Sequence, residues 1–221
     1  YEAVLKHRKM TPEYFGFDEG SRPLVYNGEK DWKPDEEWEE ELLGAEEATV
    51  FRGLAARANF LSLDCPDLQF PVKDMSREMA KPKIGSWKRM KKVARYLINR
   101  ERIVWEYRWQ AEAKYSHTCA DRDWGGRRGS RKSTSGGCVL IGAHCIKTWA
   151  TTQGAVALSS AEAEFYAMIE AVIRTKGVLS AMEEMGHPKG KSIRLYTDSS
   201  AAKSFVSRRG LGKTRHLEIR D

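Results

Sequence analysis

"ALSSAEAEFYAM", residues Ala157 to Met168, carries two glutamates one residue apart just after a pair of serines. The pattern predicts a helix that begins at the serines. Ser159 or Ser160 can cap its first N–H groups, and a Glu in the first turn suits the positive end of the helix dipole. At about 100° per residue, the apolar residues Ala167, Met168, Ala171, Val172, Val178, Leu179 and Met182 fall on one arc. Glu164 lies near the middle of that arc and Glu162 roughly opposite. Glu162 therefore reads as a solvated first-turn acid, whereas Glu164 starts the buried stripe. An isolated carboxylate there is costly unless it finds a proton, a partner or a metal. The alternative for Glu164 is a carboxylate at the helix mouth that reaches water.

Outward from this helix the grammar is that of strands. "RIVWEYRW" and "YSHTCADRDW" alternate polarity, and after the basic, Gly/Ser-rich turn "RRGSRKSTSGG" comes "CVLIGAHCIKTWA", read as a hairpin. Downstream, "SIRLYTD" is a short strand and "SSAAKSFVS" a helix that starts at its end. Three strands, helix, strand, helix is an α/β order, with antiparallel strands first and a crossover helix second. Two further acids then matter. Asp198 ends a strand just before a helix, where it can serve either as an N-cap or as a functional carboxylate. Asp121 and Asp123 lie two apart on a strand and share a face. A first-strand Asp, a helix-mouth Glu and a fourth-strand Asp can converge in this topology, and a divalent cation is the usual relief for carboxylates forced together.

The rest of the chain is helical or irregular. Residues 1–47 contain Pro and Gly breaks ("MTPEYFGFDEGSRP") without sustained periodicity, which predicts a poorly ordered or tethered segment. Residues 48–110 begin as a helical region. "ATVFRGLAARANFLSL" and "CPDLQFPVKDMSREMAKP" come first, then "GSWKRMKKVARYLINR" with Ser86 as N-cap and a basic face of Lys88, Arg89, Lys91, Lys92 and Arg95.

Of 221 residues, 41% are hydrophobic, enough for a packed core, and the net charge is +7. Residues 1–47 hold 6 basic and 14 acidic side chains, residues 48–110 hold 14 and 6, and residues 111–221 hold 18 and 11. A basic middle and end suit a polyanion partner, and the acidic head can be a tail, a linker or an intramolecular cover. The four cysteines, Cys65, Cys119, Cys138 and Cys145, form no C-x-x-C pair and are expected to be reduced thiols in an intracellular protein. His144 beside Cys145 reads as a metal-ligand hint or simply as two positions on one strand. No apolar run approaches the length of a bilayer span.

"ADRDWGGRRGSRKSTSGG", "IKTWATTQGAVALSSAEAEFYAM", "LYTDSSAAKSFV" and "KTRHLEIR" together resemble the ribonuclease H domain at the end of copia-type retrotransposon polyproteins. The stretch from Phe51 to Leu97 is similar to the region that connects polymerase and ribonuclease H in the same polyproteins. The resemblance covers roughly Ala48 to the end. It implies a ribonuclease H-like α/β fold over 111–221, with a mixed sheet, preceded by a small helical connecting region. It further implies cleavage of the RNA strand of RNA–DNA hybrids with two Mg²⁺ ions, Mn²⁺ being a substitute. Asp121, Glu164 and Asp198 resemble the family's catalytic and metal-bridging acids, with Asp123, Glu218 and His216 as additional candidates. Nucleic-acid contacts are expected at Arg127, Arg128, Arg131, Lys132, Ser133, Thr134 and Ser135, and at Lys88 and Lys92. Glu218 stands where the family usually has Asp. The family's fourth acid lies beyond a further strand, so the resemblance implies a domain truncated at its C-terminal end, with an open sheet edge for a protein partner. The polymerase's paired aspartates are absent, and DNA synthesis is not expected. The rival expectation is a domesticated, catalytically impaired ribonuclease H fold that serves as a nucleic-acid-binding or scaffold subunit.

Overall fold

The computed structural model describes residues 2–25, 40–100, 102–123 and 131–207. The chain divides into two compact units, Tyr1–Glu106 and Tyr107–Asp221. The division thus falls between Glu106 and Tyr107, a few residues before position 110.

The first unit is helical. Helices α1 (Glu2–Tyr14), α2 (Ala45–Ser62), α3 (Pro66–Ser76) and α4 (Ile84–Leu97) surround a core of Phe51, Leu54, Leu61, Leu68, Val72, Met75, Met90, Val93 and Leu97. Helix α1 lies in the segment expected to be poorly ordered. Its tie to the unit is Arg8, only 1% exposed, which donates to the Arg100 carbonyl at 2.8 Å, to Cys65 Sγ at 3.0 Å and to Asp67 Oδ2 at 3.2 Å. A buried guanidinium with three partners can anchor a helix whose own periodicity is weak. Helix α4 begins three residues earlier than its sequence suggests. Lys83 is the N-cap, and Ser86 sits at the third position, where its Oγ accepts the Lys83 N–H at 3.1 Å. Much of its basic face is engaged within the unit. Arg89 pairs with Glu78 and approaches Asp74, Arg95 donates to the Arg22 carbonyl, and Lys91 lies over the Phe15 ring.

The second unit is α/β. Strands β1 (Tyr115–Asp123), β2 (Thr134–Ile141), β3 (His144–Thr152) and β4 (Ser192–Tyr196) form a mixed sheet in the order β3-β2-β1-β4. This differs from a plain run of three antiparallel strands, because β1 lies inside the sheet with β2 antiparallel on one side and β4 parallel on the other. Helix α5 (Ser160–Glu184) makes the crossover from β3 to β4, and α6 (Ser200–Val206) follows β4. Residues 102–114, which include the expected strand "RIVWEYRW", contain no strand. Their alternation is met instead by side-chain contacts to the β2–β3 hairpin: Gln110 donates to the Ile141 carbonyl at 2.8 Å, and His144 contacts the Arg108 carbonyl at 2.7 Å. The hairpin turns at Gly142, whose φ of +61° favours glycine.

The core of this unit is thin: Ala120, Val139 and Ala171 pack with the single large side chain Trp149, and Val178 and Leu195 lie against them. Trp149 reaches across β2 at Gly137, where an added Cβ would collide with the indole ring and with the Cys119 carbonyl. No helix among the described residues is long and apolar enough to cross a membrane. Gly137→Ala is expected to destabilise the second unit by about 2–3 kcal/mol, because neither a packed indole nor a strand carbonyl can yield cheaply. Urea unfolding followed by Trp fluorescence measures this, and an unchanged midpoint would contradict the packing.

Candidate metal centre

Parallel pairing sets the site. In the β1–β4 register Cys119 faces Tyr196, so two residues further on Asp121 comes level with Asp198 at the same end of the sheet. Helix α5 runs back along β1, and its N-terminal turn arrives at that end. Three pairs trace its path: Thr118 with Thr175, whose hydroxyls are 2.7 Å apart; Ala120 with Ala171 in the core; and Arg122 with Glu164. As a result Asp121, Glu164 and Asp198 each offer a carboxylate oxygen, and these oxygens lie within 4.8 Å of one another. Asp121 and Asp198 are exposed, and Glu164 is 6% exposed.

Asp198 is not the helix cap. Ser199 takes that place, its Oγ accepting the Ala202 N–H at 3.1 Å, which leaves the Asp198 carboxylate outside the capping network. Asp121 Oδ1 accepts the backbone N–H of Arg122 at 2.7 Å. Glu164 Oε1 accepts from Arg122 Nε at 2.9 Å, while Oε2 is buried without a hydrogen-bond partner among the described residues. Burial pushes the Glu164 carboxyl above its ordinary range. Arg122 opposes that shift, and the negative charges of Asp198 and Asp121 add to it.

Glu162 does not face solvent as its helical phase suggests. It is 5% exposed and folds back over the helix mouth: Oε2 accepts the Leu158 N–H at 2.7 Å and Oε1 accepts the Tyr166 hydroxyl at 2.7 Å, while Ser159 Oγ accepts the Glu162 N–H. This is reciprocal capping of the kind that fixes helix starts. The two glutamates thus divide their roles, one securing the helix and one entering the acid cluster.

Of the remaining candidates, Asp123 accepts the Thr134 N–H within the sheet. Ser133, Thr134 and Ser135, expected to contact phosphates, are buried: Ser133 and Ser135 are held by Gln153, through its N–H to the Ser133 carbonyl and its Nε2 to Ser135 Oγ. Arg131 is exposed and Lys132 half-buried beside them; Lys88 is half-buried and Lys92 exposed on α4. Arg127, Arg128, His216 and Glu218 lie outside the described residues. His144 and Cys145 occupy neighbouring positions on β3, and the described residues hold no metal-competent group of three beyond the acids.

Two residues escaped the sequence reading. Arg122 sits between two flagged aspartates, and strand alternation from Thr118 and Ala120 places it on the α5 side. Gln153 joins the end of β3 to the first turn of α5 by donating to the Ala163 carbonyl at 2.8 Å, and only its place in "TTQG" hinted at it.

Comparison with known proteins bears on what such a cluster is for. No family model matches the chain, and no solved structure matches it. It is similar to the retrovirus-related Pol polyproteins from transposons RE2 and RE1 of Arabidopsis thaliana, 27% and 25% identical over 155 and 154 residues, each 70% of this chain. These homologues are consistent with a fragment of a copia-type retrotransposon polyprotein. It spans about a tenth of the length of those two polyproteins. It is also 36% identical over 109 residues to a protein of Plasmopara viticola named secreted RxLR effector protein 161, a match covering 48% of this chain and 74% of that protein.

The division of labour between the glutamates is testable. Glu162→Ala is expected to destabilise the second unit by about 1–2 kcal/mol through the lost cap, without weakening divalent-cation binding. Chemical denaturation and a Mn²⁺ titration of the same variant check the two halves. A variant of full stability that no longer bound Mn²⁺ would reverse the assignment.

Proposed function

We propose that this polyprotein region is a ribonuclease H-like domain that cleaves the RNA strand of RNA–DNA hybrids, with Asp121, Glu164 and Asp198 as its acids. The observation that carries the reading is the convergence of three carboxylates at one sheet end, one of them buried with an unpartnered oxygen. A buried acceptor left without a donor is costly. Exposed acids beside it make the cost larger, so the arrangement suits a cation rather than empty solvent. The donor set also fits the ion class. Oxygen-only ligands favour Mg²⁺ or Mn²⁺, and oxygens on one such ion lie about 3–4 Å apart, given metal–oxygen distances of about 2.1 Å. The three carboxylate oxygens, within 4.8 Å of one another, lie somewhat wider than that span, and the two aspartates are exposed.

When bound, the metal would polarise a water and neutralise charge on the scissile phosphate. The chain's own contribution is positional. Arg122 fixes Glu164, Gln153 and Glu162 fix the helix mouth from which Glu164 projects, and the β1–β4 pairing holds the two aspartates level. The mixed sheet with its crossover helix supports the ribonuclease H-like assignment, as does the similarity to Pol polyproteins. A net charge of +7 suits a polyanionic substrate, with Arg131 and Lys132 beside the cluster-bearing strand and Lys88 and Lys92 on the helical unit as backbone contacts. Selection of the RNA strand would rest on its 2′-hydroxyls.

Cleavage of an end-labelled RNA–DNA hybrid in Mg²⁺ tests the proposal. Asp198→Asn is expected to lower the rate at least about 100-fold, the loss typical when a group that stabilises the transition state is removed. Cleavage that survives Asp198→Asn unchanged, or that proceeds in EDTA, would refute it. Hybrid binding is expected to weaken steeply as salt is raised from about 50 to 200 mM, as counterion release requires. Salt-independent binding in a filter assay would remove the electrostatic part of the argument.

A further inference from the structure

We infer that Arg122 occupies the place of a second cation and limits the acid cluster to a single divalent ion. The inference rests on the metal-centre reading above and concerns how that centre is charged. Asp121, Glu164 and Asp198 bring three negative charges within 4.8 Å. Arg122 brings one positive charge into the same group, with Nε 2.9 Å from Glu164 Oε1. Two net negative charges remain, which a single divalent ion neutralises.

The guanidinium is built in rather than passing by. The Arg122 and Glu164 side chains are 11% and 7% exposed, and a second guanidinium nitrogen of Arg122 donates to Ser160 Oγ in the first turn of α5. The fork is therefore held by one acid and one hydroxyl of the same helix, across from its own strand. Arg does not deprotonate in a protein, so the positive charge cannot be shed to admit an ion. Displacing the side chain would break a buried pair and leave Glu164 Oε1 without its donor, which is strongly unfavourable. Since Oε1 is engaged, Oε2 is the oxygen free to ligate, and it is the one without a hydrogen-bond partner. Glu164 thus offers one oxygen to one ion and cannot bridge two while Arg122 is in place.

Mn²⁺ binding to the full chain, followed by calorimetry and by EPR of the free ion, tests this. The unmodified chain is expected to bind one Mn²⁺. Arg122→Gln keeps a hydrogen-bond donor but removes the charge. It is expected to bind the first ion about tenfold or more tightly, since a unit charge a few ångströms away matters to a divalent ion even at the dielectric of water, and to admit a second. Arg122→Lys retains the charge and is expected to stay at one ion, which keeps the test informative should Arg122→Gln prove poorly folded by circular dichroism. Two ions on the unmodified chain, or an Arg122→Gln affinity that is unchanged or lower, would overturn the inference and make Arg122 a clamp for Glu164 alone. No Mn²⁺ binding by the chain or by either variant would bring down the metal-centre reading itself.

Discussion

Everything at the sheet end depends on how closely helix α5 can lie along strand β1. The contact is made of small or short side chains, Thr118 against Thr175 and Ala120 against Ala171, and it ends in the charged pair of Arg122 and Glu164. Thr175 Oγ1 also reaches the Ala171 carbonyl at 2.7 Å, so the buried hydroxyl is satisfied in the way buried polar groups require. From Thr175 to Glu164 is 11 residues of helix, about 16 Å; from Thr118 to Arg122 is four residues of strand, about 13 Å. The two runs nearly match, and that near match brings a glutamate of the helix's first turn over the end of the strand. A large residue at Ala120 or Ala171 would lift the helix and separate Glu164 from both aspartates.

Because β4 is parallel to β1, the second aspartate needs no further device. Parallel neighbours end at the same edge, and ligands in open α/β sheets gather outside the carboxyl ends of the strands. The chain uses β1 as the common reference for all three acids: Asp121 belongs to it, Asp198 is registered against it, and Glu164 is delivered by the helix that crosses it. The first unit follows a different logic. Its apolar core of larger side chains is closed by Arg8, whose partners Cys65, Asp67 and Arg100 come from distant points of the chain.

How much of this was legible in the sequence follows from which signals are local. The start of α5, its apolar arc and the position of Glu164 on it are set by residues within four places of one another, and periodicity reads them directly. Glu162 defeated the same method because helical phase assigns a face but does not know that a first-turn acid can fold back onto the N–H groups before it. Ser133, Thr134 and Ser135 read as phosphate-binding hydroxyls because they follow a basic run; only the pairing of β2 with β3 and the reach of Gln153 bury them. "RIVWEYRW" alternates like a strand, yet alternation is necessary rather than sufficient: its contacts to the β2–β3 hairpin run through side chains rather than a backbone ladder. Helix α1 carries Pro12 and a weak apolar stripe, and the buried contacts of Arg8 that help tie it down, with Val4 packed on the core, leave no pattern a window could register.

The three acids are not equivalent, and the difference decides what the site demands. Asp121 and Asp198 are exposed. Glu164 is buried, and burial together with the two neighbouring carboxylates pushes its carboxyl above the ordinary range while Arg122 opposes the shift. On the proposed metal-centre reading, the demand for a cation would reside mainly in Glu164, and tolerance of the ion-free state in Arg122. A site built from three exposed acids would be indifferent to its ion. One built from a buried acid without a basic partner would be unstable without it. This chain sits between those limits, with one oxygen of Glu164 satisfied by Arg122 and the other without a hydrogen-bond partner among the described residues.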